Sequence, residues 1–118
     1  QLDSEYADAE NNLTLAYRNG GKHHGEVTRN IQKSIQYLEI AHQRDSNDIE
    51  TLRLMGIAYG MSGNGGKAVE YLEKALKLQP DNPSIMFNLG IALNQFGDAA
   101  RGAQLMQKAK EIDPTMGQ

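Results

Sequence analysis

The sequence predicts an all-α protein, a right-handed α-solenoid built from three stacked pairs of helices, and three observations favour this fold class. Residues 49–82 align with residues 83–116 at a fixed offset of 34 residues, a period typical of one supersecondary unit that is copied and stacked. Small and large apolar residues recur at spacings of three and four, which is the period of one helix face. Glycine and proline fall at matching points of both copies, where they mark turns and helix ends.

The first repeat, at about residues 4–48, matches the other two only loosely. Counting 34 residues back from Leu72 and Ala75 reaches Leu38 and Ala41, which predicts a helix from residue 27 or 28 to about residue 44. The preceding helix is predicted over residues 4–18. Residues 19–26 carry three glycines and no apolar side chain. They are therefore predicted to form an inserted loop that contributes less than about 1 kcal/mol to stability.

The second repeat, residues 49–82, gives the clearest helix signals. Gly63 is predicted to form the turn between two helices, since glycine adopts positive φ without strain. In the second helix, Ala68, Leu72 and Ala75 share one face, which predicts that this face packs against the partner helix. The helix is expected to end before Pro80, because proline lacks the N–H that would continue it.

The third repeat, residues 83–116, has the same arrangement. Gly97 is predicted to form its turn with positive φ, and Pro114 is predicted to follow its second helix. Asp81, Asn82 and Ser84 supply side-chain oxygens near the start of its first helix, which predicts a helix cap there.

The two clear copies resemble the tetratricopeptide repeat (TPR) family. That family has a large apolar residue, then Leu-Gly, Tyr, Ala, another large apolar residue, Ala and Pro at set positions. Leu93 and Gly102 depart from the pattern, since they stand where the family usually has Tyr and Ala. The resemblance covers residues 49–116 closely and residues 4–48 weakly, and it implies a single TPR domain over residues 1–118. The matching residues are Leu52, Met55, Gly56, Tyr59, Ala68, Leu72, Ala75 and Pro80, then Met86, Leu89, Gly90, Leu93, Gly102, Met106, Ala109 and Pro114.

The resemblance implies a protein-interaction module that binds an extended peptide or a helix of a partner protein in a concave groove. The first helix of each repeat lines that groove, and Phe87 is expected to act as an anchor. Some family members clamp the C-terminal carboxylates of heat-shock chaperones, but here Ile57 and Ser84 replace a clamp Asn and a clamp Lys. The implied groove residues are Asn11, Leu15, Arg18, Glu50, Arg53, Ile57, Met61, Ser84, Phe87, Asn88, Ile91, Asn94 and Gln95.

Two other classes of function stay open. A self-assembling scaffold is the alternative, because Leu105, Met106 and Ile112 are apolar and no solvating helix follows Pro114. Weak homodimerisation through the last helix would cover them. An enzyme or an enzyme subunit is disfavoured, since the sequence contains no nucleophile motif, no phosphate loop and no paired acids in a predictable cleft.

Composition excludes several partners and cofactors. A net charge of −3 and a pI near 5.5 disfavour a nucleic-acid surface, and no apolar run approaches the ~18 residues of a membrane span. No metal or other cofactor is predicted, because the adjacent His23 and His24 have no third ligand nearby. The sequence begins with Gln1 rather than Met, so we expect a processed or trimmed product, and the compartment, cytoplasmic or exported, stays open.

Overall fold

The computed structural model describes residues 2–116, with side chains for residues 8–116, and within this range the regular elements are six helices. The predicted all-α repeat solenoid is confirmed, and it measures 51 × 28 × 24 Å. None of the described helices is both long and apolar enough to cross a membrane. In chain order the helices are α1 Leu2–Glu26, α2 Ile31–Arg44, α3 Ile49–Met61, α4 Gly65–Leu78, α5 Pro83–Phe96 and α6 Ala99–Ile112.

The helices pack as three successive antiparallel pairs. Helix α1 packs on α2, α3 on α4, and α5 on α6, while α2 with α3 and α4 with α5 join one pair to the next. The first helices also meet directly, since α3 contacts both α1 and α5. Within the described range, the backbones of the second helices α2, α4 and α6 do not contact one another. The first helices therefore line the narrower, concave side of the stack.

The core lies between the two helices of each pair and between neighbouring pairs. Ala68, Leu72 and Ala75 of α4 are at most 1% exposed, as the shared helix face predicted. Burying a large aliphatic side chain of this kind contributes about 1.5–3 kcal/mol, so the inner faces supply most of the stability. The largest fully buried apolar side chains are Leu38, Leu52, Met55, Leu72, Ile85, Met86 and Leu89.

Each pair of helices is closed by a glycine that lies under a large side chain of the second helix. Gly56 packs under Leu72, and Gly90 packs under Met106; a Cβ atom at either glycine would overlap that side chain. In the first pair, Gly21 lies under Leu38 in the same way. The absence of a side chain on α1, α3 and α5 at these points is what lets each pair approach closely.

The prediction of an inserted loop at residues 19–26 is wrong, because these residues form the last two turns of α1. Their glycines face α2, where Gly20 packs against the Tyr37 ring and Gly21 against Leu38. Gly21 and Gly56 are 35 residues apart, so repeat one has one extra residue, in the turn before α2. The second helix consequently begins at Ile31 rather than at residue 27 or 28.

The turn and cap predictions have mixed outcomes. Asn82 caps α5, since its Oδ1 accepts hydrogen bonds from the amides of Ser84 and Ile85 at 3.0 and 3.2 Å. Gly63 has the predicted positive φ, at 88°. The prediction for Gly97 is wrong, because its φ is −152°. There the short connection to α6 is made without a left-handed residue.

Candidate functional site

Two apolar depressions lie side by side where the first helices meet. The first, of about 270 Å³, lies between α1, α2 and α3, and the second, of about 390 Å³, lies between α3, α4 and α5. Both are lined by Ile57 and Met61 of α3. Met61 is 51% exposed although it is large and apolar. A solvent-exposed apolar surface of this kind, continuous across two depressions, marks a site that can bind an apolar ligand.

The first depression owes its depth to residues without side chains. Gly21 and Gly25 of α1 line it, and a Cβ on Gly25 would lie 3.2 Å from the Ser34 hydroxyl oxygen. That hydroxyl is buried and donates a 2.7 Å hydrogen bond to the Gly21 carbonyl. Leu38 and Leu54 close the floor. The mouth carries three charged side chains, Lys22, Glu26 and Arg29.

The second depression is walled by an aromatic ring and edged by amides. Phe96, at the end of α5, packs on Gly65 so closely that any side chain there would overlap the ring. The ring is nevertheless 42% exposed. Asn88 and Gln95 supply the polar groups of the lining, and among residues 8–116 no charged side chain lines this depression. Its chemistry therefore suits an apolar side chain whose main chain needs hydrogen-bond partners.

Two arginines of the first helices pair with carboxylates of this chain. Arg18 of α1 donates to Asp48, the N-cap of α3, with N–O distances of 3.1 and 3.3 Å. Arg53 donates to both carboxylate oxygens of Glu50 at 2.8 and 2.9 Å. The hydrogen bond from Arg53 lowers the pKa of Glu50 most, against burial, with smaller contributions from Arg53, Lys22 and Arg18 as nearby charges. Both arginines are thus already bound to carboxylates of this chain.

Five of the groove residues predicted from sequence meet at the second depression, namely Ile57, Met61, Asn88, Ile91 and Gln95. The others do not line either depression. In the structure, Gly21 occupies the position in repeat one that Gly56 occupies in repeat two. The alignment predicted for repeat one was therefore wrong, and Asn11 lies before the residues that correspond to α3. The role of the predicted residues in binding stays a prediction. Those outside the depressions are Asn11, Leu15, Arg18, Glu50, Arg53, Ser84, Phe87 and Asn94.

Sequence reasoning missed several side chains of the site. Phe96 lies one position beyond the helix positions that the repeat pattern assigns to the groove. Lys22 was missed because residues 19–26 were predicted to form a loop, and Arg29 because it lies in the following turn. Gly65 was the available signal for Phe96, since a glycine within a helix often has a packing reason.

An aromatic cluster lies between α2, α3 and α4, outside both depressions. The rings of Tyr59 and Tyr71 stack with centroids 5.7 Å apart, and His42 meets the edge of Tyr71 at 5.4 Å. Burial, and then the charge of Lys74, lowers the pKa of His42, while Glu39 opposes this shift. Burial and Glu39 raise the pKa of both tyrosines. The cluster joins repeat one to repeat two as part of the packing.

His23, His24 and the last helix lie outside both depressions. His23 and His24 lie with ring centroids 5.5 Å apart, and among residues with described side chains no three His, Asp or Glu groups gather as metal ligands. On α6, Leu105 and Met106 are half-buried, because Leu105 packs on the core and Met106 on Gly90. Ile112 is 47% exposed, and self-association through this helix stays a prediction.

The stacked helix pairs, closed by small residues and bearing a concave apolar face, define a helical-repeat protein. The family model of the tetratricopeptide repeat matches residues 53–116. The chain belongs to the tetratricopeptide repeat family. No curated protein matches it in sequence.

Solved structures share this fold. A mutant O-GlcNAc transferase of Thermobaculum terrenum aligns with a TM-score of 0.84 and 25% identity over 91% of this chain and 20% of the transferase chain. The first TPR of Spaghetti (RPAP3), bound to the HSP90 peptide SRMEEVD, aligns with a TM-score of 0.80 and 12% identity over 88% and 82% of the two chains. MamA aligns with a TM-score of 0.79 and 19% identity over 94% of this chain and 64% of the MamA chain. The chain thus spans one fifth of the transferase and under two thirds of MamA.

Proposed function

We propose that this chain is a protein-interaction module whose partner segment binds on the concave face, with one large apolar side chain in each depression. The observation that carries the proposal is the pair of depressions on either side of Ile57 and Met61. Neighbouring helices lie about 8–10 Å apart, so the two anchors would be about three residues apart in an extended segment of the polyproline II type or about seven apart in a helix.

The proposal rests on apolar burial more than on charge. Ile91 is 38% exposed, Phe96 is 42% exposed and Met61 is 51% exposed, and all three line the second depression. Covering them with an apolar side chain removes unfavourable contact with water, which contributes about 25 cal/mol per Å² of buried area. The amides of Asn88 and Gln95 would bind main-chain groups of the partner that lose their water.

Peptide complexes of the same fold support this mode of binding. Both TPRs of Spaghetti are seen bound to an HSP90 peptide, at 12% and 13% identity to this chain. That level of identity supports the fold and the presence of a peptide-binding face, without transferring the partner. A chaperone tail is not proposed here, because Ile57 and Ser84 replace the clamp donors and Arg53 is bound to Glu50.

The experiment selects ligands from a random peptide library with the immobilised chain and measures their affinity by fluorescence anisotropy. Ile91→Glu should weaken binding by at least about tenfold, because it places a charge in the second depression. The matched control is Leu78→Glu, since Leu78 is also exposed, at 44%, but lies on α4 outside both depressions. Phe87→Ala should have a smaller effect, because Phe87 lines neither depression.

Circular dichroism of each variant confirms that the helices are intact. Equal weakening by Ile91→Glu and Leu78→Glu, or loss of binding in the control alone, would place the binding surface elsewhere. A library that yields no ligand at all would also contradict the proposal.

A further inference from the structure

The two depressions differ in charge, although both are lined mainly by apolar groups. Lys22, Glu26 and Arg29 lie at the mouth of the first depression, which gives it two cations and one anion. In the part of the chain with described side chains, the polar groups that line the second depression are neutral amides. A partner segment that spans both depressions therefore meets a net positive charge at one end and none at the other.

Arg29 differs from the other arginines of the chain in its surroundings. Arg18, Arg44, Arg53 and Arg101 each bind a carboxylate of the chain, namely Asp48, Glu10, Glu50 and Glu73. Among residues 8–116, no carboxylate lies within 4.0 Å of the guanidinium of Arg29 or of the Lys22 ammonium. Among the arginines with described side chains, the one that has no carboxylate partner thus lies at the first depression.

The backbone at Arg29 is also unfavourable for an arginine. Its φ is 57°, the left-handed region in which a side chain crowds the following carbonyl, and Gly63 fills the corresponding turn of repeat two with φ 88°. Glycine would adopt this conformation at lower free energy. Such outliers concentrate at ligand-binding sites, and here the outlier places a guanidinium at the mouth of an apolar depression.

We propose that the partner segment carries an aspartate or glutamate beside the apolar side chain that fills the first depression, and that Lys22 and Arg29 bind this carboxylate. The inference rests on the proposed function. One carboxylate neutralises the excess positive charge at the mouth, whereas Glu26 repels a second. The planar guanidinium can bind both carboxylate oxygens, and the adjoining apolar contact excludes the water that would weaken the pair.

The test uses three pools of short random peptides with the same content of Leu, Ile, Phe and Met. Their polar positions hold Asp and Glu, Lys and Arg, or Asn and Gln. Binding of each pool to the immobilised full chain is measured at low and at high salt. The acidic pool should bind about tenfold more tightly than the basic pool, and high salt should reduce this difference in affinity.

Single variants locate the cations. Lys22→Gln and Arg29→Gly should each weaken binding of the acidic pool about three- to tenfold and leave the neutral pool unchanged. Arg29→Gly should at the same time raise the melting temperature, because glycine relieves the backbone. A residue with only a structural role would not combine higher stability with weaker binding. The matched control is Lys77→Gln, an exposed lysine of α4 outside both depressions.

The outcomes separate this inference from the proposed function. Equal binding of the three pools, with loss of binding in Ile91→Glu, overturns the carboxylate site but still supports the groove as the binding surface. Failure of every pool to bind, or binding that Ile91→Glu leaves unchanged, overturns the proposed function itself.

Discussion

Repeat one and repeat two bring a glycine under a leucine in the same way, with Gly21 under Leu38 and Gly56 under Leu72. Their surroundings differ. In repeat two the glycine lies in an apolar helix that ends in a turn with Gly63 at positive φ. In repeat one it lies in a polar, glycine-rich helix of 25 residues, and the turn holds one more residue, with Arg29 at positive φ.

The difference shows which part of the repeat sets the packing. The contact between a residue without a side chain and a large residue of the partner helix occurs in all three pairs, although the composition of the first helix and the length of the turn change. Close approach of the two helices requires that contact, whereas the turn needs only to connect their ends.

The largest expected effect comes from removing the large member of that contact. Leu38→Ala and Leu72→Ala should each lower the free energy of unfolding by about 2–5 kcal/mol, because both side chains are 1% exposed and leave a cavity. Urea denaturation followed by circular dichroism measures both. If Leu38→Ala costs much less than Leu72→Ala, the first pair is less tightly packed than the second.

A smaller loss is expected from filling the space on the other side of the contact. Gly21→Ala should destabilise the protein by about 1–3 kcal/mol, because the new Cβ overlaps Leu38 and lies 3.2 Å from the Ser34 carbonyl oxygen. The control is Gly66→Ala in α4, where the nearest atom would be 3.8 Å away, and it should stabilise by up to about 1 kcal/mol. A neutral or stabilising effect of Gly21→Ala would contradict this packing and support the loop predicted for residues 19–26.

The turns should respond in opposite directions. Arg29→Gly should stabilise the protein by about 1 kcal/mol, and Gly63→Ala should destabilise it by about the same amount, because both positions have positive φ. Thermal unfolding of the two variants beside the parent protein measures the difference. A loss of stability in Arg29→Gly would mean that the arginine side chain contributes more to the fold than its backbone costs.

The loss of stability in mild acid should originate in repeat one, which holds all three histidines. Burial and neighbouring cations lower the pKa values of His24 and His42 from 6.5, so the unfolded chain takes up these protons first. Stability should therefore fall as the pH decreases through about 6.5 and level off below the folded-state pKa values. His42→Gln should reduce this slope, and an unchanged slope would exclude His42 as a source.

Carboxylates titrate in a separate range. Hydrogen bonds from Arg53 and Arg101 lower the pKa values of Glu50 and Glu73 from 4.5, so their contributions are present above that pH and are lost as the pH falls further. The slope between neutral pH and about pH 5.5 thus reports on His24 and His42 rather than on these two carboxylates.

The sequence predicted the fold best where one residue type had one physical role. Ala68, Leu72 and Ala75 are buried on a single helix face, and Asn82 caps α5 as predicted. Glycine was ambiguous, because it permits both positive φ and close helix contact, and the two uses look alike in one sequence. Gly63 serves the first use, whereas Gly20 and Gly21 serve the second, which is why the end of α1 was predicted as a loop.

The candidate site was predictable only in part for a related reason. The choice of Ile57, Asn88 and Ile91 follows from the resemblance to the repeat family, whose groove positions they occupy. The ring of Phe96 reaches the second depression from beyond that pattern, by packing on Gly65. Arg29 reaches the first depression from a turn, where periodicity carries no information.

The most direct test of the central claim is a methyl NMR spectrum of the chain titrated with a peptide selected from the random library. The account predicts shifts of Ile57, Met61 and Ile91, which line the depressions, and unchanged signals from Leu78 and Ile112, which are equally exposed elsewhere. Shifts centred on Leu78 or Ile112, with the methyl groups of the concave face unaffected, would contradict it.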